Sequence, residues 1–272
     1  MTTQREKCQR FAELHQAKSA WIIPNPWDTG SAKLLQGIGF LALATTSSGF
    51  AYTLGRADGE VSLEEKLQHC SLLADETSIP INVDFENGFA RTSEDLSRTV
   101  PTVVDTGIAG FSIEDFDREE HKLYGISEAV ERIQATTEAA VSTQVPVLVT
   151  ARAENLLRGV DDIDKTINRL QAYSKAGANV LYAPGIRSLE QLREVTQELD
   201  KPFNCLAPFI RGATLAEFSD AGATRVSIGG ALNYSAINSV LTAGREMMDE
   251  GSFDWLSTVA SGTEVKNLLK RP

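Results

Sequence analysis

Asp84 and Glu86 stand two residues apart at the end of the apolar stretch Pro80-Ile-Asn-Val-Asp-Phe-Glu-Asn-Gly-Phe89. Side chains along a strand repeat every two residues, so this spacing predicts both carboxylates on one side. Two like charges that close repel each other unless a cation lies between them. Hard oxygen donors at a strand end suit Mg²⁺ or Mn²⁺. An acidic, solvated strand-to-helix loop would look the same in isolation, so the distinction rests on whether other carboxylates converge on the same place.

The elements that would bring them together can be counted. Short apolar runs at Trp21–Pro24, Phe40–Thr45, Ile81–Asp84, Gly110–Ile113, Val145–Thr150, Val180–Tyr182, Phe203–Leu206 and Arg225–Ile228 read as strands, each followed by an amphipathic helical stretch. Ser62-Leu-Glu-Glu, Thr92-Ser-Glu-Asp, Ser188-Leu-Glu-Gln and Thr214-Leu-Ala-Glu open helices as capping boxes. Gly39, Gly107, Gly177 and Gly222 sit where left-handed C-terminal caps are expected. Pro101 predicts a kink in the helix that contains it. A first helix is expected over about residues 6 to 18. Eight strand–helix repeats in 272 residues predict an α/β (β/α)₈ TIM barrel filling the chain as one domain. Residues 1–20 would form an N-terminal helix and residues 233–272 an additional C-terminal helical segment. A doubly wound open sheet is the competitor; the even spacing and the lack of a Gly-x-Gly-x-x-Gly turn after the first strand favour the barrel.

In a barrel every strand ends at one common mouth, and reading only those ends is informative. They supply Asp28, then Ser47-Ser-Gly-Phe50 and Asp58, then Asp84 and Glu86, Glu114 and Asp115, and Arg152 and Glu154. Strands 2 to 5 thus concentrate acids and one arginine, whereas the later strands end in Tyr182-Ala-Pro-Gly, Leu206-Ala-Pro and Ile228-Gly-Gly. Several carboxylates overcompensate one Mg²⁺, so some should bind it through water. Arg152 offers a planar fork for a substrate carboxylate, and backbone amides around Ser48-Gly-Phe could hold another oxygen. A metal and an arginine together describe an acid. A 2-oxo acid can chelate the metal, which then stabilises the enolate formed when an adjacent bond breaks. Pro184, Leu206 and Pro208 are expected to line an opposite, apolar wall.

The pieces Pro24-Asn-Pro-Trp-Asp-Thr-Gly-Ser-Ala, Thr45-Thr-Ser-Ser-Gly-Phe, Leu54-Gly-Arg-Ala-Asp58, Asp84-Phe-Glu-Asn-Gly-Phe, Ser112-Ile-Glu-Asp115 and Thr150-Ala-Arg152 resemble the isocitrate lyase/phosphoenolpyruvate mutase superfamily across nearly the whole chain. The resemblance implies a (β/α)₈ barrel whose last barrel helix is exchanged between subunits, in a homo-oligomer built as a dimer of dimers. It also implies a direct Mg²⁺ (or Mn²⁺) ligand in Asp84, with Asp58, Glu86 and Glu114 acting mostly through water. Ser48, Gly49 and Phe50 would contact the substrate carboxylate, and Arg152 its other end. Asp58, Glu114 and Arg152 are the expected catalytic residues. The family often has aspartate where Glu86 stands, and the longer side chain displaces the metal or its water.

The departures bear on the reaction. True isocitrate and methylisocitrate lyases carry Lys-Lys-Cys-Gly-His after strand 4, where this chain reads Phe116-Asp-Arg-Glu-Glu-His-Lys-Leu-Tyr-Gly without cysteine. Those lyases also place carboxylate-binding residues after strands 6 and 7, where Ala183-Pro184 and Cys205-Leu206 stand here. A tricarboxylic substrate is therefore not expected. His121, Lys122 and Tyr124 are candidate acid or base groups on a mobile loop. Cys205 lacks a histidine to activate it and reads as core, and His15 and His69 read as structural.

Three functions remain open. The first is a Mg-dependent carbon–carbon lyase or decarboxylase on a small 2-oxo or 2-hydroxy (di)carboxylic acid. The second is carbon–phosphorus chemistry on a phosphonopyruvate-like acid, for which Lys122 and Arg56 are the nearby cations. The third is a metabolite-binding barrel without turnover. A net charge of −11 argues against nucleic acid and anionic membranes as partners. Three scattered cysteines, no hydrophobic signal core and no long apolar run predict a soluble protein of the cytoplasm.

Overall fold

A computed structural model describes residues 2–270 of the chain. Eight strands run parallel: β1 (Trp21–Ile23), β2 (Leu43–Ala44), β3 (Ile81–Asp84), β4 (Gly110–Glu114), β5 (Leu148–Arg152), β6 (Val180–Tyr182), β7 (Phe203–Leu206) and β8 (Arg225–Ser227). β1 pairs with β8, and each later strand pairs with its sequence neighbour down to β2. The remaining seam is bridged just past β1, where Ala44 N donates to Pro24 O at 3.0 Å and Asn25 Nδ2 to Thr45 O at 3.0 Å. The sheet is therefore the nearly closed (β/α)₈ barrel that the spacing predicts.

Differences from the expected boundaries have local causes. β5 begins at Leu148, because Val145-Pro146 turns instead of pairing (Val147 N donates to Val145 O, 2.8 Å), and it runs on to Arg152. β2 shrinks to Leu43–Ala44, with Leu41 out in solvent. The first helix is Gln4–Leu14, set by a capping box between Thr3 and Glu6 that lies upstream of the expected start. Ser62, Thr92 and Thr214 form the boxes read from the sequence, and Ser188 caps its helix, but Gln191 turns to Arg187 N instead. Pro101 lies inside the helix Ser93–Val104. A helix not foreseen, Ser47–Thr53, follows β2 and is capped by Thr46.

The N-terminal helix closes the bottom of the barrel. Phe11 packs edge-on to Trp21 and to His15, whose ring also meets Trp21 at 5.3 Å. Gly110, at the start of β4, sits so close to Leu148 O and Phe11 that a Cβ there would approach both to 2.8 Å. His15 Nδ1 lies 2.7 Å from Phe11 O, a pure acceptor, so Nδ1 carries the hydrogen and Nε2 accepts from Arg225 Nη1 at 3.2 Å.

The C-terminal segment behaves differently from the other barrel helices. Ala231–Asp249 buries only Asn233 among its residues and leaves Val240, Leu241 and Met248 (85% exposed) in solvent. A short 3₁₀ turn, Asp254–Thr258, follows. The helix Gly262–Leu269 then packs on Thr29–Ile38, its Leu268 backbone filling the space over Gly37. Of the expected terminal segments, residues 1, 271 and 272 lie outside the described residues.

The buried histidines make stability pH-dependent. Burial, with Arg225 beside His15 and Lys66 beside His69, holds both imidazoles down at about 3. A base whose folded pKa lies below its unfolded value of about 6.5 binds more protons when unfolded, so stability is lost as pH falls below about 6.5. Each histidine contributes a slope of about 1.4 kcal/mol per pH unit there. Urea unfolding at about pH 7 and about pH 5 is expected to show this loss. His15→Gln should be less stable at the higher pH yet lose less on acidification; an unchanged slope would mean that His15 is solvated.

Candidate active site

At the C-terminal ends of the strands a cavity of about 180 Å³ opens, and Ser48, Asp58, Asp84 and Arg152 all contribute to its lining. Asp84 ends β3, with its amide donating to Thr45 Oγ1 at 2.9 Å. Its Oδ1 is buried and makes no hydrogen bond. Arg152 ends β5 and is pulled three ways: Nε reaches Glu154 Oε1 at 2.5 Å, while Nη1 stands 3.5 Å from Asp84 Oδ1 and 3.5 Å from Glu114 Oε2. The guanidinium lies over the Tyr182 ring, 5.3 Å from its centre.

This charge network sets the protonation of its members. Burial alone would raise Asp84, but Arg152, Lys66 and a Ser47 hydroxyl bond outweigh it and hold the carboxyl below its ordinary value. Glu114 is driven well above its ordinary value by burial and by Glu154, Asp84 and Glu86, against the pull of Arg152. Glu86 is pushed up to about 7, mainly by burial. Arg152 is raised well above its ordinary value because Glu154, Glu114 and Asp84 outweigh its own desolvation.

Several sequence expectations are corrected by this geometry. The period of two ends with the strand: Glu86 adopts φ 49°, and its carboxylate ion-pairs with Arg118 at 3.0 Å instead of lining the cavity. Asp58, by contrast, does reach the cavity, from an exposed loop at its rim. Gly49 and Phe50 stand outside the lining. Their amides cap the helix Ser47–Thr53, bonding Thr46 Oγ1 and Thr46 O, and the Phe50 ring stacks on His69 at 3.9 Å. Asp28 is an N-cap that accepts from Ser31 N at 2.7 Å. Asp115 points away from the mouth into a buried cluster with Arg169 and Tyr173.

The segment after β4 forms a hairpin, Phe116–Asp117 against Lys122–Leu123, where a mobile loop was expected. His121 is exposed at its tip, Lys122 pairs with Glu120, and Tyr124 is 2% exposed with Arg132 over its ring, so none of the three lines the cavity. Arg56 pairs with Glu65 at 2.8 Å. The apolar wall is corrected as well. Pro184 and Pro208 are not part of the lining, and Leu206 shares that side with Tyr182, Asn204, Arg225 and Ser227.

Two cations were missed. Lys66 is 1% exposed, its Nζ makes no hydrogen bond, and its charge acts on Asp84 and Glu86. The signal existed, since Lys66, His69, Cys70, Leu73 and Ala74 form one helical stripe and all are buried. Arg225 was hidden in an apolar run, yet it shares the parity of inward-facing Ser227 on β8.

Among the described residues no three His, Cys, Asp or Glu side chains converge as a metal cage. The donor set still fits a hydrated divalent cation. One buried carboxylate oxygen without a hydrogen bond faces the cavity, with further acids nearby, and Mg²⁺ keeps most of its waters.

The family model described as phosphoenolpyruvate phosphomutase matches residues 11–248. The chain belongs to this family, within the isocitrate lyase/phosphoenolpyruvate mutase superfamily. An uncharacterized Mycobacterium tuberculosis protein is 30% identical over 83% of each chain. The 2-methylisocitrate lyase of Aeropyrum pernix is 26% identical, covering 94% of this chain and 85% of its own. Among solved structures, that of 2,3-dimethylmalate lyase superposes with a TM-score of 0.85 at 25% identity, over 99% of this chain and 95% of that one. Relatives of this chain thus include lyases, and an oxaloacetate decarboxylase of Pseudomonas fluorescens is a further one, 26% identical over 71% of this chain and 67% of its own.

Glu154, fully buried between Arg152 and Arg158, tests the network without any assay of activity. Glu154→Ala leaves a buried guanidinium short of its nearest partner and is expected to cost about 3–5 kcal/mol in urea unfolding. A cost below about 1 kcal/mol, the range of exposed pairs, would show that these charges are solvated.

Proposed function

We propose that the protein is a Mg²⁺- or Mn²⁺-dependent carbon–carbon lyase or decarboxylase acting on a small 2-oxo or 2-hydroxy (di)carboxylic acid. The observation that carries this reading is Asp84, whose buried Oδ1 lacks a hydrogen bond and faces a cavity shared with Arg152. Asp84 would hold the cation, with Asp58 reaching it through water from the rim; Glu114, outside the cavity lining beside Arg152, would also act through water, and Glu86 stands behind on Arg118. When bound, the cation supplies Lewis-acid stabilisation of the negative charge that develops beside the carbonyl as the bond breaks.

The chain's own groups do the rest. Arg152, fixed by Glu154 and resting on Tyr182, presents a positive edge to the cavity in one orientation, so no reorganisation is required as charge builds up. Ser48 and Ser47 offer hydroxyls on the facing side. Glu114 stands 3.5 Å from Arg152 Nη1, a place from which it would bond a water of the cation. The carbon–phosphorus alternative is less well supported, because Lys122 and Arg56, its candidate cations, are paired with Glu120 and Glu65.

The outlying helix Ala231–Asp249, with its exposed Val240, Leu241 and Met248, supports a homo-oligomer in which this helix covers a second subunit. Among the described residues no helix is long and apolar enough to cross a membrane. The net charge of −11 argues against nucleic acid and anionic membranes as partners, so an acidic substrate would be drawn in locally by the cation and the arginines.

Release of pyruvate, glyoxylate, CO₂ and phosphate from a panel of small acids, with and without Mg²⁺, tests the reaction. Metal-dependent release of a carbon fragment is expected, and phosphate release from phosphonopyruvate would favour the alternative. In calorimetric titration of chelator-treated protein, Asp84→Ala should lose Mg²⁺ binding by at least about tenfold, the loss of one direct charged ligand. Circular dichroism controls for the fold, and unchanged metal affinity would place the site elsewhere. Light scattering should show more than one subunit; a monomer at micromolar concentration rules out helix exchange.

A further inference from the structure

Register pairs Glu114 with Arg152, Arg152 with Tyr182, Tyr182 with Asn204 and Asn204 with Arg225. Residues in register point to the same face of a sheet, so these five side chains form one row across the barrel interior. Its two guanidiniums sit in the same cavity in opposite electrostatic conditions. Arg152 is surrounded by Glu154, Glu114 and Asp84. Arg225 is 3% exposed and, among the described residues, has no carboxylate within ion-pair distance.

Its hydrogen bonds are all to neutral groups: Nε donates to Asn204 Oδ1 at 2.7 Å, Nη1 to His15 Nε2 at 3.2 Å, and Nη2 to Thr150 Oγ1 at 3.4 Å. A guanidinium carries five N–H donors, so three bonds leave part of its capacity unspent. A buried charge without a partner is costly, and burial lowers the Arg225 pKa to about 10. Among the described residues the face of the Phe11 ring, its centre 6.0 Å from the guanidinium carbon, compensates it only in part. Asn204 also donates to Ser227 Oγ at 2.9 Å, which holds the amide oxygen toward the arginine.

We propose that Arg225 forms an anion subsite inside the barrel, which takes a second carboxylate of the substrate, so that the protein selects small dicarboxylates over monocarboxylates. An incoming anion gains more from Arg225, which nothing neutralises, than from Arg152, which three carboxylates already surround. The apolar-wall expectation excluded such a group on that side; Arg225 and Asn204 reverse it. The proposal deepens the reading of the site as one for small acids, and it is tested without turnover so that the two can fail separately.

Calorimetry on the full-length protein with Mg²⁺ would compare succinate, succinamate, in which one carboxylate becomes a neutral amide, and 3-phosphonopropionate. Wild type should bind succinate at least tenfold more tightly than succinamate, and Arg225→Gln should bring that ratio close to one while Mg²⁺ affinity is unchanged. Arg225→Lys, which keeps the charge, should retain part of the preference. Equal binding of succinate and succinamate by wild type, or a preference that survives Arg225→Gln, overturns the subsite. Tighter binding of 3-phosphonopropionate than of succinate overturns its assignment to carboxylates. If Arg225→Gln fails to fold, the wild-type ratio and Arg225→Lys decide. A positive result here with no product from the acid panel would leave the subsite standing and the lyase reading refuted.

Discussion

The structure depends on the burial of Arg152 among carboxylates. A guanidinium taken out of water loses solvation that only close, well-aligned anions restore, and Glu154 provides this by meeting Nε at 2.5 Å from a fully buried position. That contact orients the fork, and the orientation in turn places Nη1 between Asp84 and Glu114. Four strands contribute to the network: β3, β4 and β5 carry the charges and β6 supplies the Tyr182 ring. The site and the barrel therefore stabilise each other. Asp84 stays ionised because Arg152 is near, while Glu114, facing three other acids, is left reluctant to ionise.

Much of this was legible in the sequence. The alternation of apolar runs with capped helices gave the barrel, because capping boxes and left-handed glycines are local and need no knowledge of distant contacts. The common mouth then followed from topology, and it brought Ser48, Asp58, Asp84 and Arg152 to one cavity. Asp115, read with Glu114 as a mouth residue, follows β4 and turns away to Arg169 and Tyr173, while Glu114 keeps to Arg152. The period of two failed two residues beyond the end of β3. Glu86 takes a left-handed backbone, a conformation that most side chains avoid, and this turns the carboxylate toward Arg118.

What stayed hidden in the sequence was mostly non-local. Nothing in the segment from Phe116 to Gly125 announces that it pairs with itself as a hairpin or that Tyr124 is covered by Arg132. The charged residues inside apolar patterns were different, for they could be read but were passed over. Lys66 lies on the buried stripe of its helix, and Arg225 opens a strand on the inward parity. A cation in such a position is expensive, and its cost is a signal: the fold must supply anions, or the ligand must.

The two missed cations answer that demand in different ways. Lys66 lies behind Asp84 and Glu86, so its charge is matched by protein carboxylates on the same side of the barrel. Arg225 has no such match. Its neighbours are an amide, a hydroxyl and an imidazole whose tautomer is fixed by Phe11 O. A protonated His15 could not accept from Arg225, so the neutral ring is part of what allows a guanidinium to sit there. The barrel floor thus keeps a positive group in place with neutral acceptors only. Charge left unneutralised inside a cavity of about 180 Å³ favours an anionic occupant over water, because the guanidinium recovers from a carboxylate the solvation it lost on burial. Acids crowd the cavity toward Asp84 and Glu114, so the same field that draws an anion inward to Arg225 repels it from that side unless a cation intervenes. The polarity of the cavity is therefore built along the row of side chains running from Glu114 to Arg225.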